Sequence, residues 1–86
     1  MDNPAVVLDM NTSLRESYNF FLGHAVPLLP FVRRTAYRWI KENKLCVRQL
    51  PDKRYLISLD EINRVREEYA MEPVSKAQAL EFWETW

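Results

Sequence analysis

Eight of the twelve Lys and Arg residues of this chain of 86 fall between positions 33 and 54, where only Glu42 and Asp52 oppose them. That segment carries a net +6. Arg15, Arg64, Arg66 and Lys76 face ten acids in the remainder, a net −6, so the neutral total conceals a division. A concentrated positive segment steers a polyanion to one face. Within it, Arg34, Arg38 and Lys41 recur at i, i+4 and i+7, which sets them in one stripe on a helix, with Arg33 and Tyr37 flanking. Arg and Lys so arranged reach phosphate oxygens, and Arg also pairs with guanine edges. Arg34 and Arg38 are the expected base readers, with Tyr37 and Lys41 as helpers. Arg33, Lys44, Arg48, Lys53 and Arg54 are expected on phosphates. Rotating the helix by one position exchanges these roles, and the plain alternative is a solvated basic surface.

Other reactive side chains are scarce. His24 has no Cys or acidic partner at ligand spacing, and Cys46 stands alone, so neither a disulfide nor a metal site is expected. Cys46 is expected to be a small buried hydrophobe. Asp60-Glu61 and Glu67-Glu68 are adjacent pairs that do not converge. Gly23 is the only glycine, which excludes a glycine-rich phosphate loop. The chain is expected to be no enzyme and to need no cofactor, metal or small-molecule ligand.

The elements that must position the basic residues read as follows. Thr12 or Ser13, with Glu16, starts a first helix carrying Leu14, Tyr18, Phe21 and Leu22 and ending at Gly23. His24 to Pro30 is a connector, since Pro27 and Pro30 cannot both lie inside a regular helix. The second helix runs from Phe31 to about Asn43, with Val32, Ala36, Trp39, Ile40 and then Leu45 on or beside its inner face and Asn43 able to leave it left-handed. Two short runs then flank Pro51-Asp52, which predicts a two-stranded ribbon with Lys53 and Arg54 at its tip. Cys46 or Val47 and Leu56 or Ile57 supply its buried side. Ser58 and Glu61 form a capping box for a third helix with Ile62, Val65 and Tyr69 inward, stopped at Glu72-Pro73. Ser75 with Gln78 opens a final helix, Lys76 to Trp86.

The run Arg34-Thr35-Ala36-Tyr37-Arg38-Trp39-Ile40-Lys41-Glu42-Asn43-Lys44-Leu45 resembles the second helix and exit of excisionase and MerR-type winged helix-turn-helix domains. The basic hairpin and Ile57-Ser58-Leu59-Asp60-Glu61-Ile62 are similar to that family's wing and capped third helix. The resemblance covers about residues 31–70. Asn43 stands where the family usually has glycine. The interval between Gly23 and the second helix implies either an enlarged turn or a segment, Val26 to Phe31, that replaces part of the motif.

The resemblance implies an α+β, mainly helical fold, a winged helix-turn-helix with a two-stranded wing and a short C-terminal helix. It implies sequence-specific binding of double-stranded DNA as an excisionase of a phage or mobile element, one that bends attachment-site DNA for integrase-mediated excision and also regulates a phage promoter. The alternatives are a stand-alone phage or bacterial transcriptional regulator and a module binding an acidic protein. Integrase and adjacent protomers on DNA are the further partners it implies.

Chain length allows one domain, residues 1–86, with residues 74–86 as an aromatic helix packing on it or on a partner. Phe82, Trp83 and Trp86 are the candidate protein-interaction residues. The longest apolar run, Ala25 to Val32, is far too short to span a bilayer, and Met1-Asp2-Asn3-Pro4 lacks a signal-like start. A cytoplasmic location is the expectation, and the resemblance implies a bacterial cell.

Overall fold

Tyr18 decides how the chain enters its fold. In the computed structural model, which describes residues 13–85, residues 13–16 form a helical turn and Tyr18 then adopts φ 58°. A left-handed residue ends a helix, and the chain continues as a strand, β1 (Asn19–Phe21). There follow α1 (Leu22–Ala25), a 3₁₀ helix (Val26–Leu28), α2 (Arg33–Lys41), β2 (Arg48–Gln49), β3 (Tyr55–Ser58), α3 (Leu59–Glu68) and α4 (Lys76–Glu84). The three strands form an antiparallel sheet in the order β1-β3-β2. Phe20 lies opposite Ile57, and Arg48 opposite Leu56. The result is a small α+β domain with an open three-stranded sheet.

The first helix and the two-stranded ribbon are therefore corrected together. Leu14, Tyr18, Phe21 and Leu22 do have helical spacing, but Phe20 is apolar as well, and Phe20 and Phe21 are both buried. Two adjacent aromatics suit a strand covered on both faces better than one stripe of a helix. Gly23 lies within α1 rather than closing a helix, and the expected connector holds the end of α1 and the 3₁₀ helix. Pro27 occupies the first positions of that turn, where its missing N–H costs no bond. Only residues 29–32 separate it from α2.

Smaller corrections follow from local chemistry. Phe31 and Val32 precede α2; Val32 caps it without a side-chain hydrogen bond and is exposed rather than on the inner face, whereas Leu45 is buried as expected. Cys46 is exposed in the loop before β2. Both Leu56 and Ile57 are buried, because β3 is the central strand and touches α1 and α3. Tyr69 caps the C-terminus of α3 and is exposed, although its ring meets Phe31 and Trp39. The last helix ends at Glu84; Thr12, residues 1–11 and Trp86 lie outside the described residues.

The helix ends match their expected chemistry closely. Asn43 takes φ 59°, with Asn43 N–H donating to Ile40 O (3.1 Å) and Lys44 N–H to Trp39 O (2.8 Å), a Schellman closure. Ala70 does the same after α3 at φ 56°, with Met71 N–H on Arg66 O at 2.8 Å. Alanine suffers a Cβ clash there that glycine does not. Ala70→Gly is expected to stabilise the domain by about 1 kcal/mol and to raise Tm by about 4–8 °C in thermal denaturation. Ser75 and Gln78 complete a reciprocal capping box. Ser58 Oγ accepts from Glu61 N–H at 3.1 Å, but the Glu61 carboxylate has other partners.

The core lies where β1, β3, α3 and α4 meet. Phe20, Leu22, Ile57, Ile62 and Val65 have almost no exposure. Trp83 stacks on Phe20 with centroids 5.8 Å apart, and its Nε1–H donates to Asn19 O at 2.8 Å. That bond ties α4 to β1 and satisfies the indole's one donor. Trp39 is half-buried beside Phe31.

Candidate nucleic-acid interface

The inner and outer faces of α2 separate cleanly by residue type. Ala36 is fully buried, and Trp39 and Ile40 are half-buried against the core. Arg33, Arg34, Tyr37, Arg38 and Lys41 are all exposed. At 3.6 residues per turn these five form one continuous outward surface, with Arg33 at the margin nearest α1. The terminal nitrogen of Arg33 lies only 2.7 Å from where a Cβ on residue 23 would stand, so its head rests over Gly23.

Beside α2 stands the β2–β3 hairpin. Leu50 N–H donates to Arg54 O at 2.7 Å and Lys53 N–H to Leu50 O at 2.8 Å, enclosing Pro51, Asp52 and Lys53. Three-residue hairpins of this kind place a left-handed residue third, and Lys53 takes it with φ 72°. Lys53 is thereby held at the tip, as its sequence position predicts. Arg48 projects from β2, and the Tyr37 and Tyr55 rings meet edge to face at 5.9 Å, joining α2 to the hairpin.

The two acids of the basic segment neutralise two specific cations. Glu42 pairs with Lys44 at 3.1 Å, and Asp52 with Arg54 at 2.6 Å. Hydrogen bonds from Arg54, first of all from its backbone N–H, hold the Asp52 carboxyl below its usual range. Arg33, Arg34, Arg38, Lys41, Arg48 and Lys53 have no ion pair among the described residues. The +6 of the segment is thus carried by six identifiable side chains. Lys44 also lies 6.0 Å from the Trp39 ring centroid, and Arg54 Cζ 4.5 Å from that of Phe21.

Three side chains of α3, none of them in the basic segment, fix these parts relative to each other. Glu61 Oε2 accepts from Cys46 N–H at 2.9 Å and from Arg64 at 2.6 Å, and Arg64 also donates to Lys44 O at 3.0 Å. The link between α2 and β2 is clamped there. Burial alone would raise the Glu61 carboxyl, but the bonds from Arg64 and Cys46 outweigh it and leave it lowered. The same carboxylate raises the pKa of Arg64. Arg66 donates to Leu28 O at 2.7 Å and to Glu72 O at 2.7 Å, fixing the entry to α2. Sequence reasoning assigns Glu61 to capping alone. The signal it misses is the i, i+3 spacing to Arg64, which marks a pair able to face one neighbour together.

The aromatic pair of α4 turns inward. Phe82 stacks on His24 at 4.5 Å and 14°, and Trp83 meets the same imidazole edge-on at 5.3 Å. Burial lowers the pKa of His24 from 6.5, an effect that the Phe82 backbone partly offsets. The unfolded chain therefore takes up this proton first, and the stability held above the unfolded value is lost as pH falls toward the folded one. Tm is expected to drop between about pH 7.5 and about pH 5.5, where carboxylates stay ionised. His24→Phe should flatten that drop, as read by thermal scans at each pH.

Among the described residues no three His, Cys, Asp or Glu side chains gather to hold a metal ion, and no helix is long and apolar enough to cross a membrane. Comparison with protein-family models, with curated proteins and with solved structures returned no match.

Proposed function

We propose that this chain binds double-stranded DNA as a winged helix-turn-helix, with α2 in the major groove and the β2–β3 hairpin as the wing. The observation that carries the reading is the shared exposure of Arg33, Arg34, Tyr37, Arg38 and Lys41 on one face of α2, beside a hairpin tipped by Lys53. A helix fits the major groove, where Arg34 and Arg38 read base edges. Arg33, Lys41, Arg48 and Lys53 take phosphates and set the register. Lys44 and Arg54 contribute less net charge because each already holds a carboxylate. The sequence of helix, short connection, helix, hairpin and capped helix supports the winged reading, and the run from Arg34 to Leu45 supports the excisionase type within it.

On that reading the protein works in the cytoplasm of a bacterial cell, sets the path of attachment-site DNA and helps an integrase run in the excisive direction. It carries out no bond chemistry itself. DNA binding is tested by gel shift and by titration with duplexes from the attachment and promoter regions of the source element. Tight binding that prefers those duplexes supports it, and weak, sequence-indifferent binding contradicts it. The excisionase role is tested separately, by excision with the cognate integrase in the presence and absence of the protein. Equal excision in both would remove that role and leave DNA binding standing.

A further inference from the structure

An open cleft of about 350 Å³ lies between α1, α2 and the hairpin, lined by Gly23, His24, Arg33, Tyr37, Arg54 and Tyr55 among others. No carboxylate lines it. Two guanidinium groups reach it from different elements, Arg33 from α2 and Arg54 from the hairpin. Arg54 is held from behind, through Nε on Asp52 at 2.6 Å and by Cζ standing 4.5 Å from the Phe21 ring centroid. Its terminal nitrogens donate no hydrogen bond among the described residues. A Cβ on residue 23 would stand 2.7 Å from the terminal nitrogen of Arg33, so any residue larger than glycine there would displace the guanidinium from its place over α1. Glycine is not needed at this position for backbone conformation, since Gly23 sits inside a helix and has no positive φ.

We infer that this cleft seats one backbone phosphate of duplex DNA, gripped between Arg33 and Arg54 above Gly23. The inference rests on the DNA-binding reading and gives it a specific anchor. A guanidinium offers paired N–H groups that match phosphate oxygens. Two of them, on the reading helix and on the wing, would lock both elements to the same point of the backbone. Contacts of that kind fix register rather than sequence.

The test uses two reporters that the chain supplies. Gly23 is its only glycine and His24 its only histidine, so their amide and imidazole NMR signals identify themselves. The full chain is titrated with a duplex it binds, with the same duplex bearing one methylphosphonate at each position in turn, and with inorganic phosphate. The duplex is expected to shift both signals. One methylphosphonate position per bound molecule should weaken binding roughly tenfold, as loss of hydrogen bonds to a charged group does, and should cancel the Gly23 shift. Arg33→Ala and Arg54→Ala should each lose affinity with the native duplex yet show no further loss at that position. Gly23→Ala moves only the far end of a flexible side chain and favours the helix, so it should keep the fold and weaken the same interaction alone.

A duplex that binds tightly while leaving both signals unmoved would overturn the phosphate site and spare the DNA reading. So would arginine variants that lose affinity equally at every methylphosphonate position. Inorganic phosphate that saturates both signals when the duplex does not would make the cleft a free-anion site and overturn the inference. If no duplex binds at all, the DNA reading and the anchor fall together.

Discussion

Alanine at both Arg34 and Arg38 is expected to abolish discrimination between target and non-target duplex while leaving the fold intact. Each arginine that pairs with a base edge contributes about 1–3 kcal/mol of discrimination, so the double variant should lose well over tenfold in preference. Both side chains are exposed and lack ion pairs among the described residues. Substitutions at such positions change stability by about 0.5 kcal/mol or less. Lys53→Ala is the comparison: without its ammonium at the hairpin tip, all duplexes should bind more weakly to the same degree, and the salt slope should fall by about one. Competition binding with target and scrambled duplex, beside a thermal scan of each variant, separates the two effects. Equal weakening on both duplexes from the Arg34 and Arg38 substitutions would move these residues to the phosphates.

Phe20→Ala should have the largest effect on the fold. Phe20 is fully buried, stacks on Trp83 and meets Phe82 edge-on at 5.9 Å. Its backbone pairs β1 with Ile57 of the central strand. Truncating a buried phenylalanine costs about 3–5 kcal/mol, and native domains retain only about 5–15 kcal/mol in total. A domain of this size, whose single cysteine cannot close an internal disulfide, sits toward the lower end of that range. The variant should be largely unfolded at 37 °C. Denaturant titration followed by tryptophan fluorescence reads this directly, because the Trp83 indole lies against the truncated ring. A destabilisation below about 1 kcal/mol would mean that α4 and β1 do not share the core.

How much of this can be read from the residues depends on how local each cause is. The stripe on α2, its Asn43 exit, the Pro51-Asp52 turn and the Ser58 and Ser75 caps all arise within a few neighbouring residues, and the sequence predicts them. β1 does not. Asn19-Phe20-Phe21 becomes a strand because β3 offers it a partner 37 residues away in register, Phe20 against Ile57, and nothing local announces that pairing. With β1 hidden, the helical spacing of Leu14, Tyr18 and Phe21 is the stronger signal, and the residues of α1 and the 3₁₀ helix read as a connector. Of the candidate site, the nine cationic and aromatic positions are legible from charge and spacing. Which of the cations stand outside ion pairs is not, because that depends on the turn that brings Asp52 to Arg54 and on the side chain of Glu42 reaching Lys44. The clamp made by Glu61, Arg64 and Arg66 is equally out of reach, since its acceptors include backbone carbonyls 20 and 38 residues away.

Trp83 shows the opposite case. Its type and place in an aromatic cluster suit a partner surface as well as a core, and burial with a satisfied Nε1–H assigns it to the core. Phe82 is half-buried on His24, which leaves that ring partly open at the surface.

The central claim is that the exposed face of α2 reads duplex sequence, and one selection experiment tests it most directly. The wild-type chain and the Arg34→Ala, Arg38→Ala double variant are each used to retain duplexes from a random-sequence pool, and the retained pools are sequenced. The wild type is expected to enrich one defined motif, and the double variant to retain duplex without enriching it. A wild-type pool with no enriched motif, or the same motif from both proteins, would contradict the claim.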